Sequence, residues 1–600
     1  MSRDRHNRRG KSSRTTLSVG RAAVVLGLAA FLVRLIYIIE LSKCPFFDHP
    51  VIDAETYLSQ AAAIAEGDIW GKGPDFINGA PYWQPPGYQY FLSIFVYIFG
   101  LRFFPLHLIG VLTGTGTTIM TTLIGGRVFG RRAGILAGIF AAFCGPLIFF
   151  DGEFLVVGLY TFVLTIFLFL SIRNRDSWIR WFLAGVIFGF AIVILPTVLT
   201  TAPLIIAWAL VRNGSNKKRV ALIAALVVGA ILPVAPVTIR NTFVGKEPVL
   251  VSTNAGLNFY IGNHPEDSFD LQRIRPGKDW DRLVGLPEQK GIVSPSGRSS
   301  WFFRQALNSI ANDPPGWLLL KLKGIAIFLN GHEVMRNQDP YFFRQYSRLL
   351  SAVLWEKLIS FPMGLIFPLA ILGITLAFKK SPQFEDRSAA RFLAIFIMWY
   401  GATVALFFVT SRYRLPVIPA ALCFAAYAAV WLKDNISNRQ WNSIGWSAGL
   451  LITATIFCNM PAFRVDLYAP GENEFMIARS LYDKGNYSLA RMEYLECLKK
   501  SPENTIALND LGNIALFDNN PAEALEWYDK AVKLDPLYED AYSNRGVALS
   551  KLGRYAEAAE SLWKAIELAP EWDMPRKNLQ NIAPFLKEAE DLRPKTGSGN

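Results

Sequence analysis

Residues 21–53 read RAAVVLGLAAFLVRLIYIIELSKCPFFDHPVID. A bilayer is crossed by about 20 mainly apolar residues, and 21–41 has that length. Arginines crowd the chain before it, and the acid Asp53 lies just past its other end. Basic residues mark the cytoplasmic end of a span. The N-terminus is therefore expected inside and Asp53 outside. The segment reads as a retained span, because it is long and no small-residue cleavage pattern follows Glu40.

Working outward, the composition agrees. The chain has 600 residues, 52% hydrophobic and only 18% charged, which suits a polytopic membrane protein better than a soluble one. Apolar segments run near 21–41, 104–126, 133–150, 154–172, 179–195, 197–212, 218–239, 357–378, 389–410, 413–432 and 443–461, about eleven spans. Acids are nearly absent from them, as the cost of buried charge requires. Basic loops at 127–132, 173–180, 212–219, 379–391 and 433–439 then fall on the N-terminal side. Residues 87–100 are apolar but short. If they spanned, several basic loops would change sides, so they read as a juxtamembrane or re-entrant helix. Residues 316–330 are interrupted by Lys321 and Lys323 and read as an interfacial helix. The formal charge of +13 is then a topology signal rather than a nucleic-acid footprint. Cys144, Cys423 and Cys458 fall in spans and read as core residues, and no C-x-x-C occurs.

The C-terminus repeats. Pro502, Pro536 and Pro570 are 34 residues apart; so are Gly512 and Gly546, and Ala490, Ala524 and Ala558. Tyr494, Tyr528 and Leu562 share a further position, as do Cys497, Ala531 and Ala565. This period resembles the tetratricopeptide repeat, over about 471–571, with a closing helix at 578–592. Such units bury their apolar faces only by stacking. They are either a stabilising appendage or a docking surface for a protein partner.

Threaded through the bilayer, Asp53, Asp151, Glu153, Asn254, His264, His332, Glu333, Arg412 and Arg414 all emerge on the face opposite the basic tail. Four stretches accompany the first external loop and its PYWQPPGYQY segment: FFDGEFL (149–155), PVTIRNTFVGKEPVLVSTNAGLNFYIGNHP (236–265), LNGHEVMRNQDPYFFRQYS (329–347) and SRYRLPVIP (411–419). In order and sidedness they resemble the GT-C superfamily of membrane glycosyltransferases that use polyprenyl-phosphate sugars. The likeness is to the protein O-mannosyltransferase and aminoarabinose-transferase group, glycosyltransferase family 39-like. Together the stretches look like bacterial members that carry C-terminal tetratricopeptide repeats. The resemblance implies that an acid of the first external loop, here Asp53, is essential for transfer, and that an acid at the later span boundary contributes, here Glu153 with Asp151 beside it.

The residues support such roles on their own chemistry. Inverting transfer needs a carboxylate near the acceptor hydroxyl, and Asp53 stands at the right depth; it also suits a helix N-cap. Arg412 and Arg414 offer planar donors for a lipid phosphate, or are interfacial anchors. Arg240 is a weaker candidate of the same kind. Asn254, Asn258 and Tyr260 suit sugar recognition by hydrogen bond and stacking, and equally suit a turn-rich loop; Tyr57 and Gln84 are further substrate-binding candidates. His264, with Glu266, and the His332–Glu333 pair are further binding candidates. No metal site is assigned, although their chemistry leaves a divalent metal open. Gly114 and Gly116 sit inside a span and read as close helix packing rather than a phosphate loop.

The expectation is an all-α protein with three parts: a basic cytoplasmic tail at 1–20, a GT-C-like transmembrane domain at 21–465 with external loops 42–103 and 240–356, and an external tetratricopeptide α-solenoid at 471–592. Its expected work is moving a sugar from a polyprenyl-phosphate donor to a glycan, lipid or protein acceptor at the outer face of a bacterial inner membrane. Membrane lipid is an expected partner and nucleic acid is not. The alternatives are a polymerase or ligase of lipid-linked glycans, and a non-enzymatic scaffold for polysaccharide export or envelope assembly.

Overall fold

The computed structural model describes residues 2–173, 177–212, 216–264, 278–336, 338–379, 384–465 and 470–591. The middles of three basic loops, at 174–176, 213–215 and 380–383, lie outside the described residues, as does Glu266. The chain divides into two compact units, Met1–Tyr468 and Ala469–Asn600.

The first unit is nearly all helix. Among the described residues its one sheet is a small hairpin, Trp355–Glu356 antiparallel to Ser360–Phe361. Among the described residues, six helices are long and apolar enough to cross a membrane: Ser18–Leu41, Phe103–Phe129, Val156–Arg173, Lys217–Phe243, Arg387–Leu406 and Ser411–Ser437. The bent pair Arg131–Ala142 and Gly145–Asp151 makes a seventh if it counts as one span. The expected count was about eleven. The shortfall has a physical reason: the segments at 179–195, 197–212 and 357–378 form the shorter helices Trp178–Ile194, Pro196–Val211 and Met363–Phe378. The segment at 443–461 forms Trp441–Cys458, which opens on the polar Asn442 and Ser443. Gly87–Phe99 is a 13-residue helix, about 20 Å long at 1.5 Å per residue. That is short of the roughly 30 Å hydrocarbon core.

The Phe103–Phe129 helix shows how such a sequence suits lipid. Its buried threonines return their hydroxyls to carbonyls one turn back: Thr117 to Thr113, Thr118 to Gly114, Thr121 to Thr117 and Thr122 to Thr118, at 2.7–3.1 Å. No polar group is left facing hydrocarbon by these four residues. Its glycines let neighbours close in. A side chain at Gly114 would stand 2.0 Å from the Asp151 carboxylate and 2.3 Å from the Arg34 guanidinium; one at Gly116 would meet the Phe162 ring at 2.3 Å. These two glycines therefore serve packing.

Lys321 has a different place from the one its charge implied. Within Pro314–Leu329 it is buried, and its ammonium donates to the carbonyls of Gly262 at 2.6 Å, Ala405 at 3.2 Å and Leu406 at 3.3 Å. Those carbonyls end two helices, where a cation is favoured. Lys321 is a helix-end tie rather than an interfacial anchor.

The second unit is a stack of helical pairs: Glu472–Asp483 with Tyr487–Lys500, Thr505–Phe517 with Pro521–Leu534, and Glu539–Lys551 with Tyr555–Leu568, closed by Asp573–Asp591. The 34-residue period becomes geometry. A side chain at Gly512 would meet the Tyr528 ring at 2.5 Å, and one at Gly546 would meet Leu562 at 2.6 Å. Each repeated glycine thus makes room for the repeated large residue of its partner helix. Ala490, Ala524 and Ala558 are fully buried at the crossings. Asn486, Asn504 and Asn520 cap successive helices through their side chains.

Candidate active site

Asp53 is the first residue of the Asp53–Ala65 helix, with Ile52 in the cap position. Ile52 has φ 58°, costly for a β-branched residue. The Asp53 carboxylate accepts from Arg412 Nη1 at 2.6 Å and from Gln84 Nε2 at 3.3 Å. Arg412 also donates to the Tyr413 hydroxyl at 3.2 Å. The acid and the arginine keep 22% and 13% of their side-chain surface, so solvent-borne groups reach them. Gln84 Oε1 and Arg412 Nε are buried without hydrogen-bond partners.

Packing around this cluster explains how residues so distant in sequence meet. Leu257, Ile261, Leu283, Phe302 and Phe408 form a small apolar core, and Trp83, Tyr260 and Tyr413 pack against it. Trp83 precedes Gln84, and Tyr413 follows Arg412. Burying the two aromatics against one core brings their polar neighbours to Asp53. Tyr260 is therefore a packing residue here, with its ring 5.5 Å from Phe302 and 5.4 Å from His264. Asn254 precedes the Ala255–Gly262 helix and accepts from Ser252 at 3.3 Å. Asn258 is half-buried on that helix.

Tyr57, one turn after Asp53, is buried and meets Tyr88 edge-on at 5.4 Å. Burial, and then the nearby Asp53 charge, push its hydroxyl pKa well up. Tyr88 in turn lines a cleft with His107, Asp151 and Glu153. The two tyrosines thus link Asp53 to the acidic turn.

Within that turn the two acids differ. Asp151 accepts from Arg34 Nε at 2.7 Å, and both side chains are almost wholly buried. Arg34 lies in the first span, and its remaining donors face the carbonyls of Ala30, Ala141 and Ala142. Glu153 lines the cleft, and burial pushes its carboxyl up to about 8 despite a hydrogen bond with Gln338.

The two arginines differ in the same way. Arg414 is fully buried and ion-paired with Glu333 at 2.8 Å. It also donates to the Asn330 carbonyl at 2.6 Å and the His332 carbonyl at 2.8 Å. The His332 ring stacks on Tyr341 at 5.5 Å, and its Nδ1 bonds Glu356 on the hairpin. Burial raises the Glu356 carboxyl pKa, but the bond and charge of His332 outweigh it, so the net shift is downward. Arg414, His332 and Glu333 thus form a cluster of their own, and Arg412 alone of the two arginines reaches Asp53. Arg240 spends its guanidinium on the carbonyls of Trp70, Gly71 and Ala80, tying down the loop that follows the Asp53–Ala65 helix. Among the described residues, no three His, Cys, Asp or Glu side chains gather closely enough to hold a metal ion.

The sequence reading did not single out Arg34, Tyr88, His107 or Glu356. A cation in the middle of an apolar span was the available signal for Arg34. His107, within the apolar segment 104–126, carried the same kind of signal; Tyr88 and Glu356 carried none.

Comparison with known proteins bears on both units. Residues 83–239 match the family model of dolichyl-phosphate-mannose-protein mannosyltransferases. Residues 475–539 and 539–571 match tetratricopeptide repeat models. The UDP-N-acetylglucosamine–peptide N-acetylglucosaminyltransferase of Giardia intestinalis is 34% identical over 91 residues, 15% of this chain and 6% of that protein. The Hsp70-Hsp90 organising protein of Plasmodium falciparum is 37% identical over 65 residues, 11% and 26% of the two chains. The chain spans about half or less of the length of the curated relatives it matches. Among solved structures, the Sgt2 tetratricopeptide domain of Aspergillus fumigatus is 23% identical, covering 22% of this chain and 91% of that one, with a TM-score of 0.20. The membrane unit thus carries a protein-mannosyltransferase family segment, and the C-terminal unit carries tetratricopeptide repeats.

Proposed function

We propose that the protein is a GT-C-type membrane glycosyltransferase that moves a sugar from a polyprenyl-phosphate carrier to an acceptor hydroxyl, with inversion. The observation that carries this reading is the Asp53–Arg412–Gln84 cluster, partly exposed, beside a segment of the mannosyltransferase family. Asp53 takes the proton of the acceptor hydroxyl as its oxygen attacks the sugar C1. The bond from C1 to the phosphate oxygen breaks, and the phosphate leaves with the electron pair. Arg412 serves the leaving phosphate, because its guanidinium offers planar donors and its Nε has no partner. Glu153, whose carboxyl holds its proton at neutral pH, suits hydrogen-bond donation rather than proton abstraction. Two acids in contrasting surroundings thus take different roles.

The sided basic loops support the full set of about eleven crossings, with the short apolar helices completing it. The same loops support a cytoplasmic N-terminus and a site on the outer face of a bacterial inner membrane. The repeats then lie outside and hold the acceptor or a protein partner. A scaffold without catalysis is the reading the repeats favour on their own.

The test uses the purified full chain in lipid nanodiscs with a polyprenyl-phosphate sugar. Arg412→Ala removes a charged hydrogen bond, worth about 1.5–3 kcal/mol. It should raise the KM for the donor by about tenfold or more while the folded yield holds. Unchanged donor kinetics would remove Arg412 from the phosphate site. No transfer by the wild type, with envelope function intact in cells, would leave the scaffold.

A further inference from the structure

We propose that His107 is a positioning residue that holds the Asp53 loop and the Glu153 turn in fixed relation to each other. The inference rests on the glycosyltransferase reading for its catalytic consequence, but not for its geometry.

His107 sits near the start of the Phe103–Phe129 helix and is 4% exposed. One ring nitrogen, Nδ1, lies 2.8 Å from the Gly152 carbonyl; the other, Nε2, lies 3.0 Å from the Phe47 carbonyl. Gly152 adjoins Glu153, and Phe47 stands six residues before Asp53. A single imidazole therefore lies between the backbones that carry the two candidate acids, donating to one carbonyl when neutral and held to the other side by its ring packing.

The ring is fixed in place. It stacks on Phe47 with centroids 4.4 Å apart, and Phe154 lies against it at 4.3 Å. Phe47 belongs to the Asp53 side and Phe154 to the Glu153 side, so the packing spans the two sides. The loop it holds also needs holding. Ile52 lies in the left-handed region at φ 58°, a conformation that persists only when its surroundings over-determine it. The segment is tied at one end by His107 at Phe47 and at the other by Arg412 at Asp53. On the other side of the bridge, the Arg34–Asp151 pair pins the residue before Gly152. His107 thus acts through the segments it positions and touches neither acid's carboxylate in this arrangement.

The function of such a bridge is to keep two acids at a set spacing. A displacement of about 1 Å at a reacting centre costs on the order of 100-fold in rate. Binding of donor and acceptor, made by other residues, should change little. A loss confined to kcat separates positioning from a general structural defect.

The test compares wild type, His107→Phe and His107→Gln as full chains in nanodiscs. Phenylalanine keeps the aromatic sandwich and loses both polar contacts; glutamine retains an N–H donor. His107→Phe should lower kcat by about 10- to 100-fold with KM for donor and acceptor within about twofold. His107→Gln should recover part of the loss. Hydrogen–deuterium exchange, read by mass spectrometry, should quicken in both 47–56 and 150–156 in His107→Phe and leave the repeats unchanged. Wild-type kcat in His107→Phe would overturn the proposal, as would a loss of kcat with exchange unaltered in both segments. If His107→Phe does not fold, His107→Met, which also lacks a polar N–H, carries the same two readouts. If the wild type transfers no sugar, the glycosyltransferase reading fails, and the exchange measurement still decides whether His107 ties the segments.

Discussion

Arg412 and Arg414 are two residues apart, and so are Asp151 and Glu153. In each pair the two members have opposite surroundings. Arg414 is sealed against Glu333, and Asp151 against Arg34. Arg412 keeps some exposed surface beside Asp53, and Glu153 lines a cleft, sharing its wall with Asp151 but not that residue's bond to Arg34. A buried ion pair is costly to break because the abandoned charge has no water. A partly exposed one is free to exchange partners. Under the proposed function the pairs divide the work: Arg414 and Asp151 hold helices through their buried ion pairs, and Arg412 and Glu153 are left to meet ligands.

The largest effect that would break this division lies at Arg414. Arg414→Ala leaves Glu333 buried and unpaired, at a cost of about 3–5 kcal/mol. The full-length protein should then fall in folded yield and in thermal midpoint, read by tryptophan fluorescence in detergent. Replacing both partners, Arg414→Met with Glu333→Leu, should recover most of the loss. Equal damage from Arg412→Ala would mean that both arginines are structural.

Glu153 sharpens the other pair with a smaller, pH-dependent effect. Its folded carboxyl is raised from 4.5 to about 8. The folded protein thus keeps a proton that the unfolded chain has already released. The stability this brings is present below pH 4.5 and is lost as pH rises through about 8. The thermal midpoint of wild type should therefore decline between about pH 5 and 8. Glu153→Gln, which cannot ionise, should flatten that slope. A slope unchanged in the variant would place the titrating group elsewhere.

Much of the layout was legible because it repeats or alternates. The 34-residue period depends on small residues that must recur wherever helices cross, as Gly512 and Gly546 do beneath Tyr528 and Leu562. Asp53, Gln84 and Arg412 each follow or precede an apolar run, and hydropathy marks such boundaries. The partners were not legible. Arg34 meets Asp151 across 117 residues and His107 meets Phe47 across 60, and no local pattern records which helices pack together. The i,i+2 spacing puts the two arginines of SRYR on opposite sides of one turn, but does not show which faces inward and which faces Asp53. The number of crossings was less legible, because apolar stretches such as Trp178–Ile194 and Met363–Phe378 form helices shorter than the six long ones.

The most direct measurement concerns Asp53. Asp53→Asn keeps the size and much of the hydrogen-bonding capacity of the side chain while removing its charge and basicity. General-base assistance contributes about 100- to 10,000-fold in rate. Transfer from a polyprenyl-phosphate sugar should therefore drop by that factor in matched amounts of purified protein, with folded yield and thermal midpoint near wild type. Transfer by Asp53→Asn at the wild-type rate would contradict the assignment of Asp53 as the base.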